Sequence, residues 1–506
     1  MPKRGAVRLL LISFFAPALL KGIPAPCAEA NPVTAIDIGT RKQLFVDDRF
    51  IASSLGVELV MNTPRRDGKV LLTTDQTWEQ GKVIGIYSSV LKHDDRVKIW
   101  YDFRQPVATD PWQDLRISYA ESTDGLHFKK LNVGLHDLDG SKENAVVLPG
   151  PIGGSSVWID PLAPPGQRFK NQAKVYPSTE LHMHSSPDGI HWKKFATLNP
   201  GPGGWDTQTV VFWDPNIRRY AMYTRKWFLK TPRLASYRTV RRLESDDLQH
   251  WDNEQIVMEA DEIDLATYDT GTPQPPVDFY GADVFPCMGA EDVYIMLAEA
   301  FWHWQSRSST KGLGPSGFDV RLAVSRDGKH FQRVGGRKPF MPTGPDGTFD
   351  SRYVWAMPHP VRMGDELWIY YVGSNRDHDG IIDEAAGGVH LTGIGRAVLR
   401  LDGFVSADAD YRGGRITTPL IRFSGRHLEL NVETSGGGSV RVELLDEKNR
   451  PVEGFTKADA VAINGNSVRM PVRWQTGNDL VQLAGRAVRL RFHLQDCKLY
   501  AFQFRK

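Results

Sequence analysis

A short pattern occurs four times in this chain and constrains its fold more than any other feature. It reads Ser, any residue, Asp, usually Gly, any residue, His, then Phe or Trp. The copies are "STDGLHF" from Ser122, "SPDGIHW" from Ser186, "SDDLQHW" from Ser245 and "SRDGKHF" from Ser325, spaced by 64, 59 and 80 residues. Intervals of that size fit one supersecondary unit each. Strand-like runs precede the copies, such as "RISYAE" (Arg116 to Glu121) and "RLAVS" (Arg321 to Ser325). Asp-Gly between strands signals a tight turn, because Gly tolerates positive φ and the carboxylate accepts bonds from turn amides. Units also carry an earlier strand pair, as in "VIGIYSSVLK" with "VKIWYDF", "TVVFWD" with "RRYAMYTR", and "YVWAMPHPVRM" with "ELWIYYVG". Units of about four strands predict propeller blades, with the aromatic residue of each motif packing against a neighbouring unit.

Residues 31–404 are therefore expected to form a five-bladed β-propeller. The fifth blade lacks the motif and closes on "GRAVLRLDGF" (Gly395 to Phe404). Residues 405–506 change texture: "HLELNVET", "GSVRVELLD", "VRMPVRW" and "AVRLRFHL" alternate without the motif. They are expected to form a jelly-roll-like β-sandwich, an all-β fold throughout. At the other end, Lys3, Arg4 and Arg8 precede the apolar run Leu9 to Leu20, and Ala28-Glu29-Ala30 offers small residues for cleavage. Residues 1–30 thus read as a secretory signal, which predicts a secreted or periplasmic protein. No later segment reads as transmembrane. The three cysteines, Cys27, Cys287 and Cys497, are too few for a disulfide framework.

Composition narrows the partners. A net charge of +2 with no basic tract argues against nucleic acid. Fourteen Trp, 15 Tyr and 23 Phe suit an aromatic-lined surface of the kind that binds carbohydrate. Several units also open on an apolar residue followed by an acid: Glu79 in "WEQGKV", Asp206 in "WDTQTV", Asp278 in "VDFYGA" and Asp350 in "FDSRYV". First strands line a propeller's axis, so such acids would converge at one face. Converging carboxylates are costly unless one is protonated or a cation or substrate intervenes, and this makes them acid/base candidates. The competing reading is that each caps a turn. The second unit offers Gly153-Gly154 at the matching place. Asp206 and Asp350 are the expected central pair, with Asp278 and Glu79 as modulators.

Glu299, Trp302, His303 and Trp304 in "EAFWHW", together with Arg225, Arg376 and His378, combine indoles with hydrogen-bonding groups, as a sugar site requires. The alternative for Trp302 and Trp304 is filling between blades. His182 and His184 alternate on one strand face without a third ligand of matching spacing, so no metal and no cofactor is expected, a structural axial cation aside.

The blade pattern, "LFVDDRF" (Leu44 to Phe50), "WIDPLAPPGQRFK" (Trp158 to Lys170), "DTQTVVFWDPNIRRYAMYTR" (Asp206 to Arg225) and "KLYAFQF" resemble five-bladed glycoside hydrolases of the family 32, 43, 62 and 68 type. The resemblance spans nearly the whole mature chain. It implies a funnel-shaped glycan site at the propeller axis and three carboxylates from the first three blades. Asp206 matches the third; the first falls near Glu79 or is replaced around Tyr87; the second has no match. The repeated motif also resembles the Asp-box of sialidase propellers, with one residue fewer before the aromatic, and that box is a turn far from the chemistry. The sequence thus predicts a secreted glycoside hydrolase acting on a poly- or oligosaccharide. The alternatives are a non-catalytic glycan-binding protein and a scaffold whose rim binds another protein.

Overall fold

The computed structural model describes residues 34–105, 114–199, 207–228, 237–267, 275–303, 316–378, 380, 382, 384–477 and 479–506. The expected signal segment and Cys27 lie outside the described residues.

Among these residues the strands pair into successive antiparallel meanders. The first runs Val83–Ile84 and Ser89–His93, Arg96–Arg104, Arg116–Ser122 and Lys129–Lys130. The second runs Ile152–Ile159, Phe169–Val175, Leu181–Ser186 and Lys193–Leu198, and the third Val210–Asp214, Arg219–Phe228, Tyr237–Ser245 and Asp252–Met258. The fourth runs Val277–Cys287, Ala290–His303, Ser316–Ser325 and Gln332–Arg333. The fifth runs Tyr353–Ala356 with Val361–Met363, then Glu366–Ser374 and Thr392–Arg400. Its outer strand is Arg65–Arg66, from the other end of the chain, paired as Ala397↔Arg66 and Val398↔Arg65. Inner strands touch in sequence, and the fifth unit returns to the first. The result is a propeller-type ring closed by an N-terminal strand. Strands inside the ring are buried on both faces, which is why "LWIYYVGS" (Leu367 to Ser374) reads as an unbroken run instead of an alternation.

The repeated motif is a joint. In the second unit Ser186 Oγ accepts from the amides of Asp188 and Gly189 at 3.3 and 2.9 Å, and Asp188 Oδ1 accepts from those of Ile190 and His191, each at 2.9 Å. His191 Nδ1 lies 2.7 Å from the other carboxylate oxygen. The same bonds recur at Asp124, Asp247 and Asp327. Contacts across units are made by the motif aromatic, with Phe128 6.0 Å from Tyr370 and Phe331 6.3 Å from Tyr223, and by the glycine. Trp100 Nε1 donates to Gly189 O at 2.6 Å, Tyr223 Oη to Gly328 O at 2.7 Å, and Tyr370 Oη to Gly125 O at 2.8 Å. Each donor stands on the second strand of the adjacent unit. Gly189 has φ +83°, and a Cβ there would sit 2.5 Å from the Trp100 ring, so both the turn and the approach require glycine. In the third copy Leu248 adopts φ +65° and is buried against the second unit.

The C-terminal part is a β-sandwich built on two long, bent strands, His427–Leu445 and Arg489–Arg505, paired over most of their length. Its core includes Leu430, Val442, Leu490, Phe492, Phe502 and Phe504. Trp474 is buried there and donates to Val442 O at 2.9 Å. One expectation changes here. Gln43–Leu44, Ser53–Leu55 and Val57–Met61, placed with the propeller by the sequence, pair instead with Arg489–Arg505, Gly414–Thr417 and Val405–Ala409. Phe45 and Phe50 complete the sandwich core. From this end of the chain the ring takes Arg65–Arg66 and, further on, Leu72, which bridges to Ile394.

Candidate functional site

The inner strands begin, and the second strands end, at one face of the ring. At this end the axis is stitched by side chains. Gln208 Nε2 donates to Ser88 O at 2.8 Å and Ser155 O at 2.7 Å, while its Oε1 accepts from Trp355 Nε1 at 3.2 Å. Thr207 Oγ1 donates to Tyr280 O at 3.1 Å. Two adjacent residues of the third unit thereby bind the other four. Such buried, fully used amide bonds fix the relative positions of the strands that carry the site.

Strand alternation decides what faces that axis. In the fourth unit Asp278 pairs with Phe301, and Phe301 with Phe318, so these side chains share a face. Phe301 stacks on Phe318 at 4.4 Å, and Tyr353 of the fifth unit continues the column at 4.0 Å. Tyr87, Tyr280 and Trp355 pack against it. His378 reaches over the column, 4.9 Å from Phe301. Arg225 and Arg238 stack on the Tyr280 ring at 5.1 and 4.4 Å. Four units therefore line one aromatic and cationic site.

Carboxyls of opposite character stand in it. Asp278 is fully buried; its Oδ2 accepts from the Arg238 amide at 3.0 Å and from Nη1 at 3.2 Å, and His303 Nε2 lies 3.5 Å from Oδ1. Burial alone would raise its pKa, but the Arg238 charge and His303 outweigh it and hold the carboxyl below its ordinary value. Glu299 is also buried, and neither of its oxygens has a hydrogen-bond partner among the described residues. Its partner across the sheet is Gly281, and a Cβ on Gly281 would meet Thr207 and Trp355, so Glu299 is aimed at the axis. Burial, reinforced by Asp283, raises its pKa well above the usual carboxyl range. Asp102 of the first unit is pushed up to about 7 by burial, partly offset by Arg104 and the Tyr87 amide. The site thus sets a carboxyl whose pKa is lowered beside others whose pKa is raised, the kind of division that acid/base catalysis uses.

The residues expected from the sequence separate accordingly. Asp278, Arg225, His303 and His378 meet at the axial site. Arg376 belongs to the same face: burial and Arg104 depress its pKa. Asp206 and Trp304 lie outside the described residues. Asp350 does not face the axis; Arg66 Nη1 and Tyr371 Oη donate to its Oδ2, each at 2.9 Å, and Thr348 Oγ1 to its Oδ1 at 2.8 Å. It clasps the closing strand Arg65–Arg66 onto the fifth unit. Glu79 is likewise enclosed: Tyr101 Oη donates to it at 2.6 Å, Lys130 pairs with it, and the Gln76 amide donates to it at 3.1 Å. Both acids hold segments together. Trp302 follows Phe301, so alternation turns it to the other face, where it donates to Asp319 at 3.1 Å beneath Arg321. His182 lies 3.1 Å from Glu180. Sequence reading places Glu299 beside the indoles without giving it an acid's role and misses Asp102; both sit on second strands inside apolar runs. The signal was available: acids within otherwise buried strand runs, "AEAF" and "IWYDF".

No known protein-family model matches the chain, and no curated protein matches it. Solved structures with related strand arrangements include a glycoside hydrolase at 12% identity and TM-score 0.44, covering 66% of this chain and 92% of that one. A β-1,2-mannobiose phosphorylase from Listeria innocua has 14% identity and TM-score 0.44, covering 67% and 97%. A glycosyl hydrolase from Bacteroides ovatus has 14% identity and TM-score 0.41, covering 73% and 96%. Similarity at this level assigns no residue a role.

Proposed function

We propose that this chain is an exported enzyme that cleaves glycosidic bonds at the axis of a five-bladed propeller. The observation that carries the reading is the placement of Asp278, ion-paired with Arg238, and of Glu299, buried without a hydrogen-bond partner among the described residues, on adjacent strands at one aromatic-lined site. Cleavage needs a proton delivered to the leaving oxygen and a carboxylate that activates the attacking nucleophile or attacks itself. Glu299 takes the first role and Asp278 the second. Arg225, His303 and His378 are the groups that orient hydroxyls. Export rests on the N-terminal pattern Lys3 to Ala30.

A second reading, glycan binding without cleavage, is favoured by one observation. Glu79 and Asp350, two of the expected acids, are committed to structural bonds. The two readings separate when the chain from Asn31 onward is incubated with neutral and acidic plant and algal oligosaccharides, with and without inorganic phosphate. New reducing ends without phosphate mark a hydrolase; sugar phosphate formed only with it marks a phosphorylase. Saturable binding with no product under either condition leaves the binding protein.

A further inference from the structure

Strand alternation gives the C-terminal sandwich a second surface that the axial site does not use. On Gly414–Thr417, Arg489–Arg505 and His427–Leu445, the residues Ile416, Phe492 and Val442 pair side by side and are buried in the core. Their neighbours along each strand therefore point outward. One outward row is Arg415, His493 and Arg441; the next, two residues along, is Thr417, Arg491 and Glu443. Arg489 follows Arg491 on the same face, opposite Leu445. Side chains directly opposite on neighbouring strands stand about 5 Å apart at Cβ. Four guanidinium groups thus share one sheet surface with a single carboxylate.

The bonds within this patch do not neutralise it. Glu443, 6% exposed, accepts from Arg491 Nη1 at 3.4 Å and lies 3.3 Å from His493 Nε2. Arg441 and Arg489 donate to uncharged backbone carbonyls, Ala460 O at 2.7 Å and Thr418 O at 3.1 Å. Arg415 is exposed and has no hydrogen bond or ion pair among the described residues. The His493 ring registers the resulting field. Burial first, then the charges of Lys457 and Arg491, hold its pKa below the ordinary value, although Glu443 acts in the opposite sense. Like charges set opposite one another destabilise a sheet, and a partner that supplies negative charge removes that cost.

We infer that this outward face of the sandwich is an accessory binding site for an acidic polysaccharide, received by Arg415, Arg441 and Arg491. Guanidinium forks match carboxylates and sulfates through paired N–H donors. An extended acidic glycan repeats its charge along the chain, as the arginines repeat theirs across the strands. Neither row holds an aromatic ring on which a nucleic-acid base could stack. The site is distinct from the ring axis, and the inference does not depend on cleavage there.

Binding of the chain from Asn31 onward to polygalacturonate, alginate and dextran sulfate, and to neutral galactan and dextran, should be measured by biolayer interferometry at two salt concentrations. At least one acidic polysaccharide should bind about tenfold more tightly than its neutral counterpart and weaken with salt. Arg415→Glu and Arg441→Gln, each checked for an unchanged melting transition, should each weaken that binding by about tenfold. Arg362→Gln, at an exposed arginine of the fifth unit, should leave it as it was. Arg415 has no internal bond to lose, so Arg415→Glu decides the matter even where Arg441→Gln fails to fold. Equal affinity for acidic and neutral polysaccharides, or a preference untouched by Arg415→Glu, would overturn the inference. Tighter binding to duplex DNA or to phosphatidylserine vesicles than to every acidic polysaccharide would do the same. Binding of an acidic polysaccharide through Arg415 with no cleavage of any glycan would uphold the inference and sink the glycosidic reading.

Discussion

Asp102, Asp278, Glu299 and Asp350 are all buried carboxyls, and their neighbours give them different work. Asp350 is bound by Arg66, which lies 284 positions away in sequence. No local pattern discloses that partner, so an acid at the head of a strand looked the same as Asp278 in the sequence. The sequence offers Asp278 only as a modulator and Arg225, His303 and His378 as hydrogen-bonding groups, and the fold brings the four together. Glu299 stands in the sequence only as a polar neighbour of indoles, since a buried acid in an apolar run resembles a paired one until its partners are placed. Asp102 provides a test at this scale. Its carboxyl titrates near 7 when folded and near its ordinary value of about 3.9 when unfolded. Between those values the native state holds the extra proton, so this group's penalty is absent below about pH 4 and complete above about pH 7. Its contribution to stability therefore falls as pH rises through that window. Urea midpoints at about pH 5 and about pH 7.5 should differ less in Asp102→Asn than in the parent protein. An unchanged difference would show that Asp102 is not the titrating group.

At the scale of elements, the motif turn was legible because its bonds span only a few residues. What the sequence could not show is the donor on the next unit, Trp100 for Gly189 and Tyr223 for Gly328. The expected contact of the motif aromatic is present, Trp192 packing half-buried on a cluster that includes Trp100 and Tyr119 of the first unit, and the glycine adds the closest approach. Gly189→Ala should therefore cost both left-handed strain and overpacking against Trp100, about 2–4 kcal/mol together. Gly134, at φ +66° with nothing within 4 Å of its missing Cβ, is the matched control. Gly134→Ala should cost only the strain, about 1–2 kcal/mol. Equal losses in thermal melts of the two variants would mean that the joint bears no packing load.

The whole molecule is held by its N-terminal segment. Strands between Gln43 and Met61 enter the C-terminal sandwich, and Arg65–Arg66 completes the fifth unit. The sequence disclosed the ring and the sandwich through their textures, but closure joins positions more than 300 residues apart and leaves no local mark. A chain beginning at Asp67 should lose the sandwich edge and the closing strand together. Circular dichroism should then show no cooperative melt, and limited proteolysis should cut throughout. A sharp transition close to the parent's would contradict this account of closure.

The division between a working acid and a clasping acid is the centre of the account, and two substitutions test it side by side. Reducing-end release and melting temperature should be measured for Asp278→Asn and Asp350→Asn, on a glycan that the parent protein cleaves. Asp278→Asn is expected to lower the rate of the molecules that fold by about 10²–10⁴-fold, and to cost stability as well because it leaves Arg238 uncompensated. Asp350→Asn should lower stability by about 3–5 kcal/mol through the uncompensated Arg66, while the molecules that remain folded keep their rate. The reverse pattern, with Asp350→Asn folded but inactive and Asp278→Asn active, would contradict the account.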